Sequence, residues 1–187
     1  MTIRSILTCD FGGPRDNAGN SLRRTSSPVN WSIDSVPEML SDLRDTFYAS
    51  KISVGLAAVQ IGILKRMFIA NPNKSETAEE LLAINPIVLD ARGSNEKMME
   101  SCMSIPNRRG PVKRRTKVTL QYSDELGNSH QREFVDFFAR IVLHEMDHLD
   151  GVLCLDHVGD PSLVQTVDFF DETNYPAGSV DGSLPME

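Results

Sequence analysis

Cysteine is scarce: three residues in 187, at positions 9, 102 and 154, an odd and sparse count. That fits a reducing compartment, where any special cysteine is a ligand or a nucleophile rather than half of a disulfide framework. No stretch approaches the roughly 18 consecutive apolar residues of a membrane span. The opening, MTIRSILTCDFGG, lacks a long apolar run and a small-residue cleavage pattern, so no signal peptide is expected. Positive charge is also in short supply. Lys and Arg number 19 against 26 Asp and Glu, giving a formal net charge of -7 and a pI near 5.1. A mainly electrostatic partnership with nucleic acid is therefore disfavoured. Internal repeats and low-complexity blocks are absent. The expectation is a cytoplasmic chain that binds neither nucleic acid nor membrane directly.

What is present is ordinary soluble material, 40% hydrophobic and 24% charged, enough for one domain with a tail and for a buried site. Within it stands Leu143-His144-Glu145-Met146-Asp147-His148-Leu149. On a helix, residues four apart project from one face, so His144 and His148 can hold one divalent cation, with Glu145 beside it to handle protons. A surface helix with coincident polar spacing is the bland alternative. The apolar approach through Phe137, Phe138, Ile141, Val142 and Leu143 argues instead that the motif enters a core.

The rest of the chain reads as a succession of short elements. Residues 1–30 are loop-rich, with turn formers over 12–20. Ser35 and Glu38 spell a capping box, Pro37 suits a first turn, and Val36, Met39, Leu40, Leu43 and Phe47 make a helical stripe ending near residues 49–50. Met67 to Ala70 reads as a buried strand. Leu81 to Ile84 and Ile87 to Leu89 read as strands broken by Asn85-Pro86. Residues 71–80 are a turn and a polar exposed stretch. Val118, Leu120 and Tyr122 alternate as a half-buried strand, 123–128 is a hairpin turn, and Gln131 to Phe134 return. The motif helix runs from about Asp136 to Leu149 and stops at Gly151. Val152 to Leu155 reads as a short buried strand, Leu163 to Phe170 as a strand or a last helix, and 171–187 as a mobile tail. The domain expectation is one catalytic unit over 1–168 and a tail over 169–187.

Two further stretches stand out, one for a polar side chain in apolar company and one for a cysteine in polar company. Gln60 is the one long polar residue of Ser53-Val54-Gly55-Leu56-Ala57-Ala58-Val59-Gln60-Ile61-Gly62. It either satisfies loop backbone or aims an amide N–H at a substrate carbonyl oxygen. Cys102, in Glu100-Ser101-Cys102-Met103-Ser104, is either a buried structural thiol or a thiolate ligand. Cys9 and Cys154 have no such neighbourhood and read as structural. The Arg/Lys-rich run 108–117 reads as a solvated loop and strand, one member of which could face a substrate carboxylate or a backbone carbonyl.

Taken in order, Ser53 to Gln60, Glu100 to Ser104 and His144 to His148 resemble the three signature motifs of the peptide deformylases: Gly-apolar-Gly-apolar-Ala-Ala-x-Gln, Glu-Gly-Cys-apolar-Ser and His-Glu-x-Asp-His. The likeness extends from about Leu22 to Asp156. It implies an α+β fold, antiparallel sheets around a central helix carrying the histidine motif. It implies a metal ion, Fe2+ by family habit with Zn2+, Ni2+ or Co2+ as substitutes, on Cys102, His144 and His148, with water in the fourth position. It implies removal of the formyl group from formylmethionine at the N-termini of new polypeptides, with the ribosome as a candidate contact. It implies metal-bound water as the nucleophile, Glu145 as general base and acid, and Gln60 and the Met103 backbone N–H as the groups that receive the oxyanion. Gly55, Glu100 and Arg114 are the implied substrate-side residues, Glu100 by supporting the arginine or the Cys102 loop.

The chain departs from the family pattern at five places. Ser53 and Ser101 stand where glycine is usual. Strain is expected at Ser53 if that backbone has positive φ, and otherwise only an added hydroxyl; at Ser101 a Cβ beside Cys102 is expected either to narrow the site or to shift the cysteine. Leu143, Asn107 and His157 replace a common Gln, Gly and Arg. The five departures, with the Gly-rich N-terminal insertion, motivate one rival, an amidase for a small N-formyl metabolite; Ser53 and Ser101 alone motivate another, a catalytically silent homologue that binds N-termini. The His-Glu-x-x-His spelling alone adds a third, a zinc endopeptidase.

Overall fold

The computed structural model describes residues 2–11, 21–50, 52–74 and 80–168. The turn-former run 12–20, residues 75–79 of the polar stretch and the tail 169–187 lie outside the described residues.

Helix α1, Val36–Ala49, buries Val36, Leu40, Leu43 and Phe47, the stripe its spacing predicts. Pro37 sits in its first turn, where a missing N–H is harmless. The expected capping box does not form: Ser35 makes no side-chain cap bond. Its ψ of 70° falls short of the extended backbone from which a cap side chain reaches the first-turn N–H groups.

Six strands follow in one antiparallel sheet: β1 (Gly55–Ala57), β2 (Met67–Ala70), β3 (Leu81–Cys102), β4 (Ile105–Ser123), β5 (Ser129–Val135) and β6 (Gln165–Thr166). Their order is β1-β2-β3-β4-β5, with β6 on β4. Helix α2, Asp136–Leu149, follows β5 directly.

Strand β2 explains how sheet and helices share a core. It is buried on both faces, so it reads as an unbroken apolar run. Successive side chains point opposite ways. Phe68 and Ala70 join Ala139, Val142, Met146 and Leu149 of α2. Met67 and Ile69 join Leu40, Leu43 and Phe47 of α1.

Two sequence expectations fail here. No break falls at Asn85-Pro86; β3 runs through it with a register shift between Ile84 and Ile87. Asn85 takes φ 50° and its amide accepts from Val29 N–H at 2.7 Å and donates to Val29 C=O at 3.0 Å, so tertiary contacts hold the bulge. The strand expected at Val152 to Leu155 is instead a 3-10 turn, Cys154–His157, whose Asp156 carboxylate receives the Leu153 N–H at 2.9 Å. Within the described part of 163–170, Leu163 closes a 3-10 turn, Pro161–Leu163, and Gln165–Thr166 form a short strand.

Candidate functional site

Strands β3 and β4 meet at the two-residue turn Met103-Ser104, with Cys102 paired to Ile105 across it. Cys102 is thus fixed at a strand end. It faces α2, whose residues 144 and 148 present their rings 5.1 Å apart on one helix face. The Cys102 Sγ lies 3.2 Å from His148 Nε2, and one donor atom each from Cys102, His144 and His148 fall within 4.8 Å of one another. Donors around one tetrahedral cation lie on the order of 3.5 Å apart, so this trio fits a single ion. His148 Nδ1 is buried without a hydrogen-bond partner among the described residues. A thiolate with two imidazoles is a borderline-soft set, suited to Fe(II), Zn, Ni or Co.

Electrostatics separate the two nearby cysteines. Burial raises the Cys102 thiol, but His148 and His144 overcome that and hold it well below its ordinary value. Burial also raises Cys154, and the charges of Cys102 and Glu100 push it higher still. Glu100, His144 and Cys154 also converge within 4.8 Å. There, however, the thiol keeps its proton, and His144 Nδ1 is already 3.0 Å from Glu100 Oε2. The trio that includes Cys102 is the better cation site.

Glu100, buried at 4% exposure, organises the charges behind that trio. It accepts from Arg114 at 2.6 and 2.9 Å and from Arg140 Nη1 at 2.6 Å, besides its contact with His144. Burial opposes its charge, yet Arg114 and His144 hold the carboxyl well below the usual carboxylate range. The bond to His144 Nδ1 leaves the other ring nitrogen for a metal. Arg114 also reaches Asp147 at 2.8 Å, and His157 closes on the same carboxylate oxygen at 2.7 Å. Arg114, at 6% exposure, and Glu100 therefore stand behind the pocket, not among the groups that line it.

The pocket itself is small, about 40 Å³, room for about three waters. Gly55, Gln60, Cys102, Met103, His144 and Glu145 line it, with Ile52 to Val54 and Ser101 completing the wall. A Cβ on Gly55 would lie 2.2 Å from Glu145 Oε1, so only glycine lets that carboxylate rest against the strand. The Gln60 amide is oriented from both ends. Its Oε1 accepts from Ala57 N–H at 2.8 Å, which turns Nε2 toward Ser104 Oγ (3.1 Å) and Cys102 Sγ (3.6 Å). The N-terminal segment ties the two loops together: Leu7 N–H donates to Gln60 C=O at 2.7 Å and Cys9 N–H to Ser104 C=O at 2.9 Å.

The departures are accommodated. Neither Ser53 nor Ser101 is among the residues with positive φ, so the strain raised for Ser53 is not incurred. Asn107 does adopt φ 58°, a region in which asparagine is the best replacement for glycine. Leu143 packs against the α2 core, and His157 serves Asp147. Sequence reasoning gave no role to Arg140, Asp147 or Ser104. The signal for Arg140 was a lone cation inside the apolar run from Phe137 to Leu143.

Comparison with known proteins agrees with this geometry. The family model described as polypeptide deformylase matches residues 15–163. The peptide deformylase of Rhodopirellula baltica is 34% identical over 170 residues, 89% of this chain and 84% of its own length. Peptide deformylase 1 of Clostridium perfringens is 36% identical over 157 residues, 84% of this chain and 99% of its own. The crystal structure of a peptide deformylase from Legionella pneumophila superposes with a TM-score of 0.74 at 28% identity, covering 86% of this chain and 88% of that one. None of the rival readings is favoured by these matches. An antiparallel sheet with two helices, a thiolate and two imidazoles converging beside a buried glutamate, and relatives matched over most of their length lead to one assignment: the chain belongs to the polypeptide deformylase family.

Proposed function

We propose that this chain hydrolyses the formamide of formylmethionine at the N-termini of new polypeptides, releasing formate and a free amine. The observation that carries the reading is the convergence of Cys102, His144 and His148 on a pocket of about 40 Å³ that Glu145 and Gln60 also line. That size admits a formyl group and crowds a larger acyl chain.

Cys102, His144 and His148 hold a divalent cation in this reading, Fe2+ natively, with Zn2+, Ni2+ or Co2+ as replacements. When bound, the cation supplies Lewis acidity toward water and the carbonyl oxygen. Glu145 takes a proton from the attacking water and returns it to the leaving amine nitrogen. Gln60 Nε2–H and the Met103 backbone N–H receive the negative charge that grows on the formyl oxygen. The Ala57 N–H supports that role for Gln60, because a flipped amide would set donor against donor. Removing one such donor typically costs about 2.7–4 kcal/mol of barrier. Gly55 lines the peptide's path, while Glu100 and Arg114 act from behind, by fixing His144 and Asp147.

The reading also takes residues 1–168 as one catalytic domain, supported by the family match over 15–163 and by the position of β6 at 165–166. Its setting is the cytoplasm, with formylated peptides emerging from ribosomes as the implied partners. No helix among the described residues is long and apolar enough to cross a membrane.

Formate release from formyl-Met-Ala-Ser tests the reading, using protein purified without oxygen and with its metal content measured. Release is expected with Fe(II) or Ni(II) loaded. No release at full occupancy with either metal would overturn it.

A further inference from the structure

We infer that Lys74 is a positioning residue for the deformylation, holding two segments of the pocket wall in place through Ser50. The inference rests on the deformylase reading above. It begins at the end of α1. The last carbonyls of a helix have no N–H in a following turn to receive. Lys74 meets that need from the turn after β2: its ammonium donates to the Phe47 and Ser50 C=O groups at 2.7 Å each. The helix dipole favours a cation there as well. Phe47 is fully buried, and the ammonium stands 3.9 Å from its ring centroid. Lys74 thus ties Ser50, the residue that caps α1, to a fixed point of the core.

Ser50 does not line the pocket, but its hydroxyl touches two residues that do. Its Oγ accepts from Ser53 N–H at 3.2 Å and donates toward Met103 Sδ at 3.6 Å. Ser53 lies just ahead of β1 and Met103 at the β3–β4 turn, so one hydroxyl joins two separate parts of the wall. The turn that carries Lys74 holds the wall at a further point, where Asn71 N–H donates to Val54 C=O at 2.8 Å. The reacting groups are held otherwise. Cys102 ends β3, His144, Glu145 and His148 sit on α2, and the Met103 backbone is set by the Cys102–Ile105 pair. Loss of Lys74 therefore loosens the wall and leaves the chemistry in place. The free enzyme then occupies the peptide-gripping arrangement for only part of the time, and apparent affinity falls by that fraction. A role confined to capping α1 would change stability alone.

The test is kcat and KM for formyl-Met-Ala-Ser with the metal-loaded parent, Lys74→Met, Lys74→Arg, Ser50→Ala and the double variant of Lys74→Met with Ser50→Ala. Metal content is matched, and the assay runs well below each thermal midpoint. Lys74→Met should raise KM by about 3- to 10-fold, the fold-change that one hydrogen bond carries, while kcat stays within about twofold. Lys74→Arg, whose guanidinium can donate to both carbonyls, should keep KM within about twofold of the parent. Ser50→Ala should also raise KM, and the double variant should raise it by less than the product of the two, because both act through one hydroxyl. An unchanged KM in Lys74→Met, a fall in kcat rather than a rise in KM, no rescue by Lys74→Arg, or effects that multiply in the double variant would overturn the proposal. No turnover by the metal-loaded parent would instead count against the deformylase reading itself.

Discussion

The β3–β4 hairpin carries ion pairs at two places and treats them in opposite ways. Near the Met103-Ser104 turn, Glu100, Arg114 and Arg140 meet with side chains 4–5% exposed. Further back, Arg92 meets Asp90 and, across the sheet, Glu133, with side chains 38–55% exposed. The chemistry is the same, but water decides its weight. Exposed pairs are screened and lose side-chain entropy, so each contributes about 0–1 kcal/mol. The buried group contributes little net stability over an apolar replacement, yet it cannot lose one member without stranding the others. Its value is positional: it turns the His144 ring and holds Asp147 beside the candidate metal trio.

The sharpest way to break this contrast is Glu100→Ala. Two buried guanidinium groups would lose the carboxylate they share, so unfolding free energy should fall by about 3–5 kcal/mol, and metal affinity by about 10- to 100-fold as His144 loses its orienting contact. Denaturant unfolding and metal titration would show both. A loss under about 1 kcal/mol would place this cluster with the surface pairs. Gly55→Ala should separate position from stability within the site. The added Cβ meets the movable end of Glu145, so unfolding should shift little while kcat falls about 100-fold, the penalty of a displaced catalytic group.

Lys74 lies between the two regimes. Its ammonium donates to the Phe47 and Ser50 carbonyls at 2.7 Å each and sits 3.9 Å from the Phe47 ring centroid. Burial pushes its pKa down to about 8, from an ordinary 10.5. The folded chain therefore sheds this proton before the unfolded chain does. Stability relative to Lys74→Met should rise as pH increases from about 8 to about 10.5, and be flat below about 8. Melting curves across that range would check the sign; a fall over the same window would contradict it. The smallest effect is expected at the exposed pole. Arg92→Ala should leave the thermal midpoint almost where it is, with any shift shrinking further in high salt.

Much of the site was legible before the fold was known. Helix α2 begins and ends where its apolar run and Gly151 predict, since a four-residue histidine spacing has only one compact geometry. Gln60 stood out as a polar group in apolar company, and Cys102 as the one cysteine with polar neighbours. Arg114 was harder to see because its run is rich in charge. Its burial was nonetheless readable: the inward parity of Val118 and Leu120, carried back along β4, passes through Thr116 to Arg114. The bulge at Asn85 could not be read locally, because its partner, Val29, lies 56 residues away. Nor could the role of Ser104, which depends on a turn bringing it to Gln60 across 44 residues.

The most direct test of the central claim is a paired measurement on Glu145→Gln. Formate release from formyl-Met-Ala-Ser and bound metal would be determined on the same sample, beside the parent. Release should fall by at least about 100-fold, the lower range for loss of a general acid–base, with metal content unchanged. Parent-like release from the metal-loaded variant would contradict the account.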